Sequence, residues 1–230
     1  MTDTYGLIFD VDGVIADTEA VNLVVSIRVF ADLFGIRGVR AEDFEAGLGR
    51  GAEEYIKAAA AVHGTNLSPA QVAEATRLRQ RYFLESLREN PIPAYPGVLK
   101  LVHAALGDKA FRTAIATSGT REKSQAVLDS VRFPCDRMVY VTGSDAKNKK
   151  PHPELYVTAA TRLGIPPDRC AVIEDAPSGI QAAHAAGCRC IAVTNTASRE
   201  KLSEADLIVD SLENVTLGMI SRLVTATGSG

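Results

Sequence analysis

Two aspartates separated by one residue stand near the start of the chain. The stretch LIFDVDGVIADTE, from Leu7 to Glu19, places Asp10 and Asp12 directly after an apolar run. Two carboxylates this close repel one another, so a compensating cation is expected. A DxDG pattern also occurs in EF-hand calcium loops, but there the glycine is the sixth residue and helices flank the loop. Here Gly13 is the fourth residue and follows a strand-like run, which excludes that interpretation.

Three further stretches carry groups that suit the same chemistry. They are ATSG with Thr117, Ser118 and Gly119, KNKKPHPE with Lys147, Lys149 and Lys150, and VIEDAPSGI with Glu174 and Asp175. Clustered carboxylates are tolerated around a hard divalent cation, and oxygen ligands with retained waters suit Mg²⁺. The metal and a lysine could neutralise an oxyanion substrate, and a carboxylate can attack phosphorus to form an aspartyl-phosphate. The residue types therefore indicate Mg²⁺ together with a phosphate.

A parallel sheet would bring these groups together. From Val98 onward the β-rich runs RTAIAT, RMVYVT, CAVIED, RCIAV and DLIV alternate with helical stretches, and YGLIFD near the N-terminus fits the same sheet. Strand–helix alternation predicts a parallel sheet covered on both faces. Ligands of open parallel sheets bind beyond the carboxyl ends of the strands. The four groups are therefore predicted to meet at one edge of the sheet.

Each motif has an ordinary structural interpretation when taken alone. TSG is typical of a turn, KKP of a solvated loop, and ED before a helix of a charge that complements the helix dipole. Their placement, in order, at the ends of different strands is what indicates a single site.

An all-helical block interrupts the α/β pattern after the first strand. EAVNLVVSIRVFADLF has a broad apolar face, and AEEYIKAAAAVHG ends in a glycine typical of helix ends. SPAQ predicts a capping box at Ser68 and a helix that runs to about Glu89, and the proline-rich NPIPAYPG is typical of a linker. We therefore predict a Rossmann-like α/β core of residues 1–16 and 93–230, with an inserted helical cap domain of residues 17–92.

Composition narrows the class of protein. The chain has 230 residues, 46% of them hydrophobic, which allows one or two domains. Its net charge of -3 gives no general electrostatic reason to expect a nucleic-acid partner. The N-terminus lacks a signal-peptide pattern and no apolar run reaches membrane-spanning length, so no membrane partner is expected. The CxC pair Cys188 and Cys190 lacks a second pair at zinc spacing. Buried reduced thiols are the interpretation, and they suit a cytoplasmic protein.

The ordered motifs resemble those of the haloacid dehalogenase superfamily, in its branch of β-phosphoglucomutase-like phosphatases with a helical cap. The matching stretches are DVDGV, ATSG, the lysine of KKPHPE and VIEDAPSGI, and the helical insertion matches that branch's cap. Dehalogenases lack the second aspartate of DxD. The resemblance therefore implies a Mg²⁺-dependent phosphatase that acts on a small phosphorylated metabolite, with a sugar phosphate as the favoured class. We expect a monomer or a weak oligomer.

The resemblance implies roles for four catalytic residues. Asp10 corresponds to the nucleophile, which also binds Mg²⁺. Asp12 corresponds to the general acid/base, and its backbone carbonyl would be a metal ligand. Thr117 and Lys150 would hold the phosphoryl oxygens. Lys150 is the matching lysine because it directly precedes Pro151, and the other two lysines of that stretch are expected to be solvated.

The same resemblance assigns the rest of the phosphate and metal site. Ser118 and Gly119 would offer backbone N–H groups to the phosphate. Asp175 corresponds to the third metal ligand, and Glu174 would lie in or near the metal shell. Together with Asp10 and Asp12, these acids form the predicted Mg²⁺ site.

Substrate specificity is expected to come from the cap. The stretch FEAGLGRGAEEY surrounds Arg50 with glycines and presents one cation on a flexible loop. Members of the family use this loop to contact substrate, so Arg50 is the candidate for binding a second anionic or polyol group. A surface arginine without a role in binding is the alternative.

Two other functions stay open. The first is a phosphohexomutase of the β-phosphoglucomutase type, in which a histidine lies five residues after the aspartate of the DT pair. Here Asp17 and Thr18 form that pair and Asn22 occupies the spacing, which favours a phosphatase. The second is a phospho-acceptor signalling module, which also combines acids, Thr/Ser and Lys on a doubly wound sheet. Its phosphorylated aspartate is expected after a central strand, and it has no use for an inserted cap.

Overall fold

A computed structural model describes residues 4–47 and 51–226. The chain divides into two compact units, a sheet unit of Met1–Asp17 with Ile92–Gly230, and a helical unit of Thr18–Pro91. The predicted boundaries differ from this division by one residue at each end. Among the described residues, none of the helices combines the length and apolar character needed to cross a membrane.

The sheet unit is built on six parallel strands in the order β3-β2-β1-β4-β5-β6. The strands are Tyr5–Phe9 (β1), Phe111–Ala116 (β2), Val139–Val141 (β3), Cys170–Glu174 (β4), Arg189–Val193 (β5) and Leu207–Val209 (β6). All residues of β1 and β4 are buried, as expected for central strands of a parallel sheet. The predicted α/β, Rossmann-like fold class is confirmed.

Helices alternate with these strands, as the pattern of the sequence predicts. In the sheet unit they are Val98–Gly107 (α4), Arg121–Ser130 (α5), Glu154–Leu163 (α6), Pro177–Ala185 (α7) and Leu217–Thr225 (α8). The strand order reverses between β1 and β4, because β2 follows β1 in the chain but pairs on its other side. Such a switch point opens a crevice at the carboxyl ends of the strands, where ligands bind.

The helical unit consists of Thr18–Phe34 (α1), a 3-10 helix at Ala41–Gly47, Ala52–Val62 (α2) and Pro69–Glu89 (α3). The predicted capping box of α3 is present, with Gln71 N donating to the Ser68 hydroxyl and the Ser68 N donating to the Gln71 side chain. Stacked and edge-to-face rings pack the interior, including Phe44 on Tyr55 at 4.4 Å between centroids.

Candidate active site

Asp10 stands at the switch point, immediately after β1. Its N–H donates to the carbonyl of Ile173 at 3.1 Å, and Phe9 is the register partner of Ile173 on β4. The strand pairing therefore places Asp10 beside the end of β4, where Glu174 and Asp175 follow. Oxygens of these three buried carboxylates all lie within 4.8 Å of one another. Residues far apart in the chain are thus brought together as predicted.

Lys150 joins two of these acids. Its Nζ donates to Asp10 Oδ1 and to Glu174 Oε1, each at 2.6 Å. Burial alone lowers the pKa of a lysine, but the two carboxylates outweigh it and raise the pKa of Lys150 above its ordinary value. The lysine is therefore a permanent cation within reach of any anion that approaches Asp10.

Burial acts in the opposite direction on the acids. It raises the pKa of Asp10 to about 7, against the attraction of Lys150. It also raises the pKa of Asp175 well above its ordinary value, with the charges of Glu174 and Asp10 adding to the shift. One lysine is thus insufficient to keep all three acids charged, and a further cation is what the cluster requires.

A divalent metal fits this requirement. The possible donors are carboxylate oxygens of Asp10, Glu174 and Asp175, and such oxygens are what a hard cation such as Mg²⁺ prefers. No nitrogen or sulfur donor belongs to this group of residues. The chemistry of the donors therefore agrees with the predicted cofactor.

Glu174 is held differently from the other two acids. Its Oε1 accepts from Lys150 and from the buried Tyr156 hydroxyl, and its Oε2 accepts from the Asp175 and Ala176 N–H groups. Burial raises the pKa of Glu174, but Lys150 and these donors outweigh it, and the net shift is downward. A carboxylate engaged by four protein donors is suited to positioning Lys150. Its predicted place in the metal shell stays a prediction.

Two glycines make room for the acids. Gly13 has φ +75°, a conformation that favours glycine, and a Cβ there would collide with the Asp175 carboxylate. A Cβ on Gly179, in the first turn of α7, would collide with the carboxylate of Glu174. The DVDG and EDAPSG stretches therefore need glycine at these positions, because the backbone passes too close to the carboxylates for a side chain to fit.

The loop after β5 braces Asp175. The Thr196 hydroxyl donates to Asp175 Oδ2, and it lies 3.1 Å from the Asp175 carbonyl oxygen. Asn195 Nδ2 donates to the Gly13 carbonyl at 2.8 Å, which connects the loop after β1 to the loop after β5. Sequence reasoning missed both residues, although they directly follow a predicted strand at the same edge of the sheet.

The loop after β2 lies beside Asp12. Thr117 is buried, and its Oγ1 accepts from the Gly119 N–H at 3.0 Å. A Cβ on Gly119 would lie 3.7 Å from Asp12 Oδ2. The Gly119 N–H must leave Thr117 if it is to serve the phosphate as predicted. Asp12 itself accepts at Oδ1 from Lys123 Nζ at 3.0 Å, and its carboxylate does not belong to the cluster of the other three acids.

The structure describes two of the three remaining basic residues that the sequence analysis singled out. Lys147 and Lys149 are exposed, as predicted. Arg50 lies outside the described residues. Two further residues of the site, Tyr156 and Lys123, were not singled out from the sequence, because no local pattern links them to the acids that they bind.

Comparison with known proteins places the chain among hydrolases. The family model for haloacid dehalogenase-like hydrolases matches residues 6–187. Hexitol phosphatase A of Escherichia coli (strain K12) is 37% identical over 145 residues, which cover 63% of this chain and 65% of that protein. Protein SUPPRESSOR OF QUENCHING 1, chloroplastic, of Arabidopsis thaliana is 32% identical over 95% of this chain, but the chain spans only 21% of its length. The chain thus spans less than two thirds of both relatives.

A solved structure agrees over nearly the full length. CbbY from Rhodobacter sphaeroides, crystallised in complex with xylulose-(1,5)bisphosphate, superposes with a TM-score of 0.83 at 26% sequence identity. The superposition covers 95% of this chain and 99% of that one.

Proposed function

The chain belongs to the haloacid dehalogenase-like hydrolases, and from this premise we propose that it is a phosphatase, which hydrolyses a small phosphorylated metabolite with Asp10 as nucleophile and Mg²⁺ as cofactor. The observation that carries the proposal is the contact of Lys150 with Asp10 at 2.6 Å inside a buried cluster of acids. A partly buried lysine held against a carboxylate at the carboxyl edge of a sheet is arranged to attract an anion to that carboxylate.

Asp10, Asp175 and the backbone carbonyl of Asp12 would hold the metal. When bound, Mg²⁺ supplies positive charge that keeps the acids ionised and neutralises the phosphoryl group. Lys150 contributes a second positive charge from the side of Glu174.

The residues of the chain then divide the reaction between them. Asp10 attacks phosphorus and forms an aspartyl-phosphate, while Lys150 and Thr117 hold the phosphoryl oxygens. Asp12 gives its proton to the leaving oxygen and afterwards takes one from the water that hydrolyses the intermediate. Ser118 and Gly119 contribute backbone N–H groups to the phosphate.

A sugar or polyol phosphate is the proposed substrate class. The names of two similar proteins support it, since one is a hexitol phosphatase and the other was crystallised with a sugar bisphosphate. We propose that Arg50 in the helical unit binds a second anionic or polyol group of this substrate. We also propose a cytoplasmic location, supported by the buried reduced thiols of Cys170, Cys188 and Cys190.

The two alternative functions are a phospho-acceptor module and a phosphohexomutase. Membership of a hydrolase family argues against a phospho-acceptor module. A phosphohexomutase remains the second candidate by family resemblance, but Asn22, which is buried in α1, cannot take up a proton where the compared mutases have histidine.

A panel of phosphorylated metabolites tests the proposal. We expect release of inorganic phosphate from at least one sugar or polyol phosphate with Mg²⁺, and none in excess EDTA. The proposal would be overturned if the protein released phosphate from no member of the panel and from no aryl phosphate. Incubation with β-glucose 1-phosphate, Mg²⁺ and a trace of the bisphosphate tests the alternative. Conversion to glucose 6-phosphate faster than phosphate appears would favour the mutase.

A further inference from the structure

Lys123 is a cation at the carboxyl edge of the sheet that the proposed reaction does not use. Its Nζ donates to Asp12 Oδ1 at 3.0 Å, and the two residues are 111 positions apart in the chain. The side chains of Lys123 and Asp12 are 24% and 31% exposed, so the pair lies at the open edge of the sheet and not in the core. Only the fold can bring these two residues together.

The position of Lys123 in its helix is locally unfavourable. Thr120 caps α5 by accepting from the Lys123 N–H at 3.3 Å, which makes Lys123 the third residue of the helix. The positive end of the helix dipole disfavours a cation there. A partly exposed ion pair contributes little to stability in return. A residue that breaks a local rule without stabilising the fold is typical of functional positions.

The two oxygens of the Asp12 carboxylate have different surroundings. Oδ1 accepts from Lys123. Oδ2 lies next to Gly119, 3.7 Å from the position that a Cβ on this glycine would occupy. Gly119 belongs to the loop that is proposed to hold the phosphoryl oxygens. Lys123 thus contacts one oxygen of Asp12, while the other oxygen lies on the side of the loop that is proposed to hold the phosphate.

We propose that Lys123 is a positioning residue that orients Asp12 so that Oδ2 carries out both proton transfers. This inference rests on the proposed function, in which Asp12 is the acid/base. In the first step Asp10 bonds to phosphorus, the ester P–O bond breaks, and its electron pair stays on the leaving oxygen, which takes the proton of Asp12 Oδ2. In the second step Asp12 takes a proton from water. The water oxygen bonds to phosphorus, and the bond between phosphorus and Asp10 breaks to restore both carboxyl groups and release phosphate.

The dependence of rate on the leaving group tests this role. A good leaving group departs without a proton, whereas a poor one needs it, and kcat/KM reports the first step. The substrates are a series of aryl phosphates from 2,4-dinitrophenyl to phenyl phosphate, assayed with Mg²⁺. General acid catalysis contributes about 10²–10⁴-fold, so we expect Lys123→Met to lower kcat/KM for phenyl phosphate about tenfold more than for 2,4-dinitrophenyl phosphate. The plot of log kcat/KM against leaving-group pKa then steepens.

The variants separate this role from a structural one. Lys123→Gln, a second neutral variant, should steepen the plot in the same way, and Lys123→Arg, which keeps the charge, should restore part of the wild-type slope. Lys149→Met removes an exposed lysine from the same edge and should leave the slope unchanged. Equal loss for every leaving group in Lys123→Met, or an equal steepening in Lys149→Met, would overturn the inference.

The variant Asp12→Asn distinguishes failure of the inference on Lys123 from failure of the proposed acid/base role of Asp12. If its slope steepens while that of Lys123→Met stays at the wild-type value, the inference on Lys123 is wrong and the proposed function stands. If the slope of folded Asp12→Asn does not change, the acid/base role of Asp12 is wrong and the inference falls with it. We expect both variants to steepen the plot and the double variant to show less than the product of their effects, because the two residues act through one carboxylate.

Discussion

The sheet unit and the helical unit bury different kinds of polar side chain. Among the described residues, the buried carboxylates are Asp10, Glu174 and Asp175, and all belong to the sheet unit. The helical unit buries neutral groups such as Asn22 and Ser26, and the Ser26 hydroxyl donates to the Asn22 carbonyl at 2.6 Å. In the part of the chain that the structure describes, one unit thus buries carboxylates, whereas the buried polar residues of the other are neutral.

This difference indicates that the sheet unit buries charged groups for function, whereas the interior of the helical unit serves stability. Burying a charge is unfavourable unless it is paired, and the sheet unit accepts that cost at the edge where its strands end. The helical unit packs around aromatic rings, with Phe30 and Phe44 in edge contact at 5.8 Å between centroids. We therefore expect substitutions in the sheet unit to change turnover, and substitutions in the helical unit to change stability or substrate affinity.

The largest effect is expected for Asp10→Asn. An amide of the same volume cannot attack phosphorus, so turnover should fall by about 10⁴-fold or more, as for removal of other covalent nucleophiles. The fold should survive, because an amide oxygen can still accept from Lys150. Phosphate release and circular dichroism check the two halves of this expectation. A folded variant with near-wild-type release would exclude Asp10 as the nucleophile.

Asp175→Asn should act through the metal. Loss of one charged ligand should move the Mg²⁺ concentration for half-maximal activity into the millimolar range or beyond, and excess EDTA should abolish wild-type activity. Direct titration of Mg²⁺ by calorimetry provides a readout apart from activity. Asp168→Asn is the matched control, since this exposed aspartate precedes β4 at the opposite edge of the sheet. Full activity in EDTA would refute the metal assignment.

Arg50→Ala probes the helical unit. If Arg50 binds a second anionic or polyol group, KM for a sugar phosphate should rise about tenfold, in keeping with loss of a charge-assisted hydrogen bond. The kcat/KM for an aryl phosphate, which lacks such a group, should stay the same. Equal effects on the two substrates would show that Arg50 does not recognise a group that the sugar phosphate carries and the aryl phosphate lacks.

Tyr156→Phe and Tyr140→Phe form a matched pair within the sheet unit. The Tyr156 hydroxyl donates to the charged Glu174, whereas the Tyr140 hydroxyl donates to the neutral Ser124 at 2.6 Å. Loss of a hydrogen bond to a charged group costs about 1.5–3 kcal/mol, and loss of a neutral one about 0.5–1.5 kcal/mol. Thermal unfolding should follow that order. Turnover should fall only in Tyr156→Phe, because Glu174 also holds Lys150.

The sequence predicted what depends on local pattern and on strand ends. Asp10, Lys150 and Asp175 could be placed at one edge because parallel strands align their carboxyl ends there, and Ser68 could be placed as a helix cap from four residues alone. The contact between Lys123 and Asp12 could not be predicted, since it joins residues 111 positions apart in the chain. Distances between side chains on different elements depend on packing, which periodicity does not encode.

The smallest effects are expected at two helix caps, one in each unit. Ser68 caps α3 in the helical unit, and Thr120 caps α5 in the sheet unit with the Lys123 N–H as its donor. Replacing either by alanine should lower the free energy of unfolding by about 1 kcal/mol. Ser68→Ala should leave kcat/KM unchanged. Thr120→Ala should also reduce kcat/KM for phenyl phosphate, because loosening the first turn of α5 loosens the grip of Lys123 on Asp12. The same chemical change would then affect stability in both units but activity in only one. Equal activities in the two variants would mean that the start of α5 tolerates movement without consequence for Asp12.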